Sequence, residues 1–272
     1  MDEQVLIETP RGRLVGMLHS PTDAPRGPGV VFCHAFAEER KSSALVMARL
    51  ARAVAAAGRP ALRFDYYGCG DSEGEFVEAT ARTHLDDVGT AARFLQERTG
   101  RDEFILLGLR MGATLAARAA EELPGCKGLV LIEPLADGAT YFDGQMRRSL
   151  VRNMLTRADG NGGARDGDLR RQMTAEDEVI DMDGFALSAE ACRELSALSI
   201  RPGGVTFGRP VLVCQVHFRD TPRPDMEAVC ATYRQAGADV SFERLVLPPF
   251  WNRIEVTLAP ELEEAVRGWL TR

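Results

Sequence analysis

Short apolar runs rich in β-branched residues alternate along this chain with longer segments in which apolar residues recur every three or four positions. The runs expected to be buried strands are 30–33, 61–64, 104–107, 128–132, 211–216 and 240–247. Strands and helices that alternate in this way are typical of a mainly parallel sheet with helices on both faces. We predict an α/β fold with eight strands, in which Val5–Glu8 and Leu14–His19 open the chain as an antiparallel pair.

Helical periodicity fills the intervals between the predicted strands. The predicted helices are 42–57, 82–98, 113–123, 225–235 and 260–270. Ser42 is the expected N-cap of the first helix, and Gly58 is its expected C-terminal stop.

The interval 134–209 is charged, helical in pattern and punctuated by glycines. It is too long for an ordinary connection between strands, so we predict an inserted cap. Residues 1–133 and 210–272 then form the core domain. Within the cap, 160–167 (GNGGARDG) has the composition of a mobile loop.

Composition narrows the classes of function. The 33 basic and 40 acidic side chains leave a net charge of −7, which argues against nucleic-acid binding. No segment is long and apolar enough for a membrane helix, and the first residues are acidic, so we expect a cytoplasmic protein. The six cysteines show no metal-binding spacing, so we expect reduced thiols, no metal and no cofactor.

The predicted strand 104–107 runs through two glycines straight into an alanine-rich helix, in the sequence ILLGLRMGATLAA. A strand that turns sharply through G-x-S-x-G into a helix is the nucleophile elbow of α/β hydrolases. Gly108 and Gly112 keep this frame, but its centre is Arg110. A guanidinium stays protonated and is not a nucleophile.

The general base of that mechanism is also missing. It is normally a histidine just after the last strand, where this chain has Pro248, Pro249, Phe250 and Trp251. No histidine follows His217. A conventional Ser-His-Asp triad therefore cannot be assembled at its usual positions.

Other parts of the hydrolase scaffold are present in the pattern. The strand 30–33 is followed by His34-Ala35-Phe36-Ala37, where hydrolases place one amide of the oxyanion hole. We expect the N–H groups of Phe36 and Met111 to face a common point beside a helix N-terminus, with Arg110 adding charge. The predicted ligand-binding residues are Arg110, Phe36, Met111, Glu38, Phe250 and Trp251.

Five sequence blocks carry a family resemblance: FAEERKSS (36–43), RFDYYGCGDSEGEF (63–76), GLRMGA (108–113), DGFALS (183–188) and PPFW (248–251). Over about residues 5–270 the chain resembles the exosortase A system-associated hydrolases of the second type, relatives of the serine aminopeptidase and dienelactone hydrolase group. The resemblance implies an α/β-hydrolase fold and makes arginine at the elbow part of the family pattern. It also implies a bacterial setting of exopolysaccharide production and protein sorting.

Two interpretations of Arg110 stay open. It is a ligand-binding cation at the floor of a pocket, the partner of a buried carboxylate, or both, since a buried arginine must be paired. The candidate partners are Glu38, Glu39, Asp65 and Asp220.

Weak catalytic candidates remain elsewhere. His34 and His217 are possible bases, and Asp220 best matches the former triad acid. Cys69 and Ser72 are possible surrogate nucleophiles, although neither has a base nearby in sequence. Phe250 and Trp251 are expected to fill the space of the missing histidine.

Three functions fit this pattern. The first is a pseudo-enzyme that binds an anionic or acyl ligand, or a partner protein, without cleaving it. The second is an active hydrolase or acyltransferase on esters or thioesters, with an unconventional catalytic set. The third is a scaffold in a polysaccharide or sorting machine, and a homodimer is compatible with each of them.

Overall fold

The computed structural model describes residues 1–156, 179–182, 184–253 and 255–272. The strands are β1 (Asp2–Thr9), β2 (Gly12–His19), β3 (Gly29–Cys33), β4 (Ala61–Phe64), β5 (Phe104–Leu109), β6 (Cys126–Ile132), β7 (Val179–Met182), β8 (Phe185–Ser188), β9 (Val211–His217) and β10 (Val240–Val246). The helices are α1 (Ala37–Ala56), α2 (Ala81–Thr99), α3 (Met111–Glu122), α4 (Gly138–Thr156), α5 (Ala189–Ala197), α6 (Pro224–Gln235) and α7 (Pro260–Leu270). Phe76–Glu78 and Phe250–Asn252 form single 3₁₀ turns.

Eight strands form one sheet in the order β1-β2-β4-β3-β5-β6-β9-β10. β2 is antiparallel to both β1 and β4, and the other neighbouring pairs are parallel. This arrangement confirms the predicted α/β fold with a mainly parallel, eight-stranded sheet.

The sheet separates two apolar cores. Leu115 and Ala116 of α3 pack in one core, whereas Val46 and Leu50 of α1 pack in the other. The helices that follow the adjacent strands β3 and β5 therefore leave on opposite faces of the sheet. Such a switch point opens a crevice at the carboxyl ends of the strands, where α/β proteins bind ligands.

The predicted start of the first helix at Ser42 was wrong. α1 begins at Ala37, and its N-cap is Phe36, which makes no side-chain capping bond. The first turn carries Glu38 and Glu39, which interact favourably with the positive end of a helix. Ser43 donates its hydroxyl to the carbonyl of Glu39, as a residue inside a helix does. α3 likewise begins at Met111, two residues before the predicted start.

The chain between β6 and β9 contains α4, the antiparallel hairpin β7–β8 and α5. The hairpin was not predicted. β8 packs against the 3₁₀ turn before α2, with the rings of Phe185 and Phe76 centred 5.0 Å apart. The GNGGARDG segment lies outside the described residues, and the division into core and cap stays a prediction. In the part of the chain that the structure describes, no helix is long and apolar enough to cross a membrane.

Candidate functional site

Arg110 is the single residue between β5 and α3, and its backbone has φ 56° and ψ −122°. The turn is tight enough to require both flanking glycines. A Cβ on Gly108 would lie 2.4 Å from the carbonyl oxygen of Gly112, and a Cβ on Gly112 would lie 2.2 Å from that of Cys33. The Arg110 N–H donates to the Ile132 carbonyl oxygen at 2.9 Å, which fixes the turn to β6.

Backbone strain is concentrated around this turn. Among the described residues, Ala37, Arg110 and Glu133 alone combine a side chain with positive φ, at 51°, 56° and 47°. They follow β3, β5 and β6, which are neighbours in the sheet, so all three lie at the same carboxyl edge. Each such conformation costs of order 1–3 kcal/mol and tends to persist at functional sites.

The Arg110 side chain is held between two carboxylates. Its Nε lies 3.4 Å from Glu39 Oε2, its Nη2 3.4 Å from Glu39 Oε1, and its Nη1 3.9 Å from Glu133 Oε2. The side chains of Arg110, Glu39 and Glu133 are 14%, 3% and 0% exposed. The Arg110 Cζ also lies 5.1 Å from the ring centre of Trp251 and 5.6 Å from that of Tyr141.

Glu133 links Arg110 to a second arginine. Its Oε1 accepts the Val216 N–H at 2.7 Å, and its Oε2 accepts a hydrogen bond from Arg223 Nη1 at 2.8 Å. Burial raises the pKa of Glu133, while Arg223 opposes that rise. Arg223 also pairs with Asp225, so the two arginines face three carboxylates and Arg110 presents no uncompensated positive charge to the crevice.

Of the four carboxylates proposed for Arg110, Glu39 is the one that the structure pairs with it. Glu38 contacts Lys41 Nζ at 3.1 Å, Asp65 binds Arg40, and Asp220 binds Arg244 at 2.7 Å. Glu39 reaches Arg110 because α1 starts at the end of β3, next to the elbow. Glu133 was missed by the sequence analysis, although its position directly after a buried strand was a usable signal.

The other three catalytic candidates, His34, His217 and Asp220, have their own surroundings. His34 is buried, its Nδ1 has no partner among the described residues, and burial together with Arg40 lowers its pKa to about 3. His217 Nδ1 accepts the Arg219 N–H at 3.1 Å, and the Asp220 side chain is 61% exposed. Within the described residues, none of these three side chains is hydrogen-bonded or ion-paired to Arg110.

Phe250 and Trp251 form the 3₁₀ turn that follows β10, and both are buried. Their rings meet edge to face with centres 5.1 Å apart. The Trp251 ring covers the Arg110 guanidinium. An aromatic pair thus occupies the segment in which a hydrolase carries its histidine.

The two expected oxyanion-hole amides flank the elbow. Phe36 precedes α1, and Met111 is the first residue of α3. Gly112 packs directly against the carbonyls of Cys33 and His34, so the two segments touch. Within the described residues, neither the Phe36 N–H nor the Met111 N–H donates to a protein acceptor. That both amides face one ligand atom stays a prediction.

A cavity of about 550 Å³ opens beside this cluster. Glu39 and Trp251, which both contact Arg110, line it together with Phe36, Met182, Phe185 and Gln145. The Gln145 amide donates to Glu39 Oε1 at 3.3 Å. No group of three or more His, Cys, Asp or Glu side chains suited to a metal ion occurs among the residues that the structure describes.

The two candidate surrogate nucleophiles, Ser72 and Cys69, make different contacts. The Ser72 hydroxyl donates to the Asp65 carbonyl and accepts the Val15 N–H, so it holds a loop in place. Cys69 Sγ lies 3.9 Å from Nε2 of His84, a buried residue of α2. No sequence motif predicts this contact, because His84 lies in a different element fifteen positions further along.

The strand order, the strained elbow and the helices on both faces define an α/β hydrolase with arginine at the nucleophile position. The chain belongs to the family described as serine aminopeptidase, S33, whose model matches residues 25–185, more than half of its length. No protein of curated function matches the chain in sequence.

Solved structures of similar fold include esterases. Est1E from Butyrivibrio proteoclasticus, with ferulic acid bound, has a TM-score of 0.67 at 16% identity and covers 98% of each chain. The Pyrococcus furiosus esterase Pf2001 has a TM-score of 0.63 at 17% identity, covering 100% of this chain and 91% of the esterase. A putative hydrolase from Agrobacterium vitis has a TM-score of 0.62 at 17% identity, covering 100% and 97%. At these identities the likeness shows the fold alone.

Proposed function

We propose that this protein binds a small acyl ligand at the carboxyl edge of its sheet and does not hydrolyse it. The observation that carries the proposal is the state of Arg110, a guanidinium fixed at the elbow between Glu39 and Glu133. No hydroxyl or thiol occupies the position from which a hydrolase attacks its substrate. A covalent acyl intermediate therefore has no nucleophile at the elbow.

The charge balance favours a neutral acyl group over an anion. A free arginine would attract a carboxylate, but Arg110 already faces the buried carboxylates of Glu39 and Glu133, the second of which it shares with Arg223. The amides of Phe36 and Met111 are donors suited to a carbonyl oxygen. An uncharged ester, thioester or amide carbonyl matches these groups without adding charge to a buried network.

The cavity next to Arg110 suits the remainder of such a ligand. Phe36, Met182, Phe185 and Trp251 offer apolar surface to an acyl chain. Gln145 and Asn252 add amide groups that can bind a polar head. Its volume of about 550 Å³ lies within the range of about 300–1,000 Å³ that is usual for ligand pockets.

The biological setting of this binding is also a proposal. The resemblance to exosortase-associated hydrolases supports a role beside exopolysaccharide production or protein sorting, in which the bound acyl group or a partner protein is the signal. A cytoplasmic location stays a prediction from the sequence.

A covalent probe tests the loss of hydrolysis. The protein is incubated with a fluorophosphonate and weighed intact, with a triad-containing esterase as the positive control. We expect no added mass on this protein and no turnover of ester or thioester panels. A stoichiometric adduct, or turnover that His34→Ala or His217→Ala abolishes, would establish an active enzyme instead.

Tryptophan fluorescence tests the binding. Trp251 lines the cavity, and Trp269→Phe leaves it as the only tryptophan of the chain. We expect octanamide to change the Trp251 emission at least as strongly as octanoate does at equal concentration. If neither compound changes the Trp251 emission, or if octanoate alone changes it, the protein has no site for neutral acyl groups here.

A further inference from the structure

A second cavity, of about 310 Å³, lies on the other side of Phe36 and Phe185 from the first. We call it the Cys69 cavity. Its walls include Tyr66, Phe76, His84 and Cys69, and Arg40 and Lys41 also line it. The mechanism proposed above uses none of these six side chains.

The walls of the Cys69 cavity are aromatic. The His84 ring stacks on Tyr66 at 4.3 Å between centres, and Phe36 lies 5.4 Å from Phe76. The ring centre of Phe185, which also lines the cavity, lies 5.0 Å from that of Phe76. Flat aromatic rings pack well against such walls in offset or edge-to-face contacts.

Three polar atoms of lining residues are buried and have no hydrogen-bond partner within the described residues: His84 Nδ1, Arg40 Nε and the Tyr66 hydroxyl oxygen. His84 is 1% exposed. A buried polar group without a partner is costly, so a ligand that satisfies it gains affinity. These three atoms therefore point to an occupant with polar groups of its own.

The protonation states of Cys69 and His84 determine whether the occupant must supply hydrogen-bond donors or acceptors. Burial raises the pKa of the Cys69 thiol to about 12 and lowers that of His84 to about 3, so both groups are neutral. The thiol then donates to Nε2 across the 3.9 Å contact, and we assign the imidazole hydrogen to Nδ1. His84 Nδ1 and Arg40 Nε are then both donors, and their ligand must supply acceptors.

The positive side chains indicate the charge of the ligand. Arg40 binds Asp65 through Nη2, which leaves its Nε–H for another acceptor. Lys41 Nζ lies 4.8 Å from the ring centre of Phe185, and its pairing with Glu38 is on the surface and therefore weak. We propose that the Cys69 cavity binds a small aromatic carboxylate, with its ring among Phe36, Phe76 and Phe185 and its carboxylate at Arg40 and Lys41.

Cys69 provides the readout for this site. All six cysteines lie among the described residues, and Cys69 alone is not buried. Iodoacetamide should therefore alkylate the native protein at Cys69, which peptide mapping verifies. Bound 2-naphthoate should slow this alkylation by about tenfold when its concentration is about ten times its dissociation constant, measured by calorimetry.

Neutral 2-naphthamide is the matched probe for charge. It should bind at least about tenfold more weakly, because it lacks the charge-assisted hydrogen bonds of the carboxylate. Equal protection by both compounds would show that the site does not select a carboxylate, and protection by neither would show that it binds no such ring; either result would overturn the proposal.

The two lysines of the chain offer a matched pair of variants. Lys41→Gln should weaken 2-naphthoate several-fold, whereas Lys127→Gln, on β6 and paired with Glu103, should leave its binding unchanged. Arg40→Gln should abolish most of the binding, and circular dichroism checks that this variant folds. If Lys41→Gln and Lys127→Gln bind 2-naphthoate alike, the carboxylate is not held here. Octanamide binding at Trp251 should persist in every variant, which separates this site from the proposed acyl site.

Discussion

Replacing Arg110 by methionine should destabilise the protein strongly, since two buried carboxylates lose a shared cation. Removal of one partner from a buried ion pair costs about 3–5 kcal/mol. Here the Arg110 side chain is 14% exposed, its contacts with Glu39 are 3.4 Å long, and Glu133 keeps Arg223. We therefore expect the lower end, a loss of about 3 kcal/mol in the free energy of unfolding. Methionine keeps a Cβ at the strained position, so the backbone cost is the same in both proteins.

The pairing with Glu39 is isolated by a double-mutant cycle. Arg110→Met and Glu39→Gln are made singly and together, and urea unfolding gives the free energy for each. If the two side chains stabilise each other, the double variant should lose at least about 1 kcal/mol less than the sum of the single variants. The reason is that each single variant leaves the other side chain of the pair as a buried charge without this partner, whereas the double variant removes both charges.

A second cycle serves as the control. Asp220 pairs with Arg244 on the surface, where its side chain is 61% exposed. Asp220→Asn should cost less than about 1 kcal/mol and combine additively with Arg110→Met. Additivity within about 0.5 kcal/mol in the Arg110–Glu39 cycle as well would refute the buried ion pair as the reason for arginine at the elbow.

Three further measurements test separate parts of the structure. Arg110→Gly should be more stable than Arg110→Ala by about 1 kcal/mol in urea unfolding, because glycine tolerates a φ of 56°; equal stability would remove the argument for strain. The folded-state pKa of His84 is depressed from 6.5 to about 3, so its contribution to stability is complete above pH 6.5 and is lost as the pH falls towards 3. His84→Phe should thus reduce the stability difference between pH 7 and pH 5 by up to about 2 kcal/mol, and an unchanged difference contradicts a buried neutral imidazole. The alkylation rate of Cys69 should rise about tenfold per pH unit well past pH 9, since its pKa is raised to about 12; a plateau near pH 9 would indicate an ordinary thiol.

The sequence predicts the sheet well because its central strands are buried on both faces. Every residue of β5 is buried, and β6 is buried except at Lys127. The beginning of α1 was misplaced for the opposite reason: its first turn, Ala37–Arg40, is polar and faces the crevice rather than the core. The hairpin β7–β8 escaped detection because strands of four residues carry too little periodicity.

The candidate site was predicted in part. Position 110 and the aromatic pair at 250–251 follow from local motifs, since a motif fixes its own residues relative to the strand that precedes it. The roles of Glu133 as a partner of Arg110 and of His84 as a partner of Cys69 do not follow from local motifs, because each contact depends on which elements become neighbours in space. Glu133 meets Arg110 only through the pairing of β5 with β6, and His84 meets Cys69 only when α2 packs under the loop after β4.

The ion network ties the arginine at the elbow to its neighbours on the sheet edge. Oppositely charged side chains alternate along the carboxyl edge from Glu39 through Arg110 and Glu133 to Arg223. A serine at the elbow would leave Glu39 buried without a cation, and it would face Trp251 where a hydrolase has a histidine. A serine at position 110 alone would therefore not complete a conventional Ser-His-acid set, and we expect it to destabilise the protein. These contacts make arginine at the elbow a property of the whole edge of the sheet rather than of one residue.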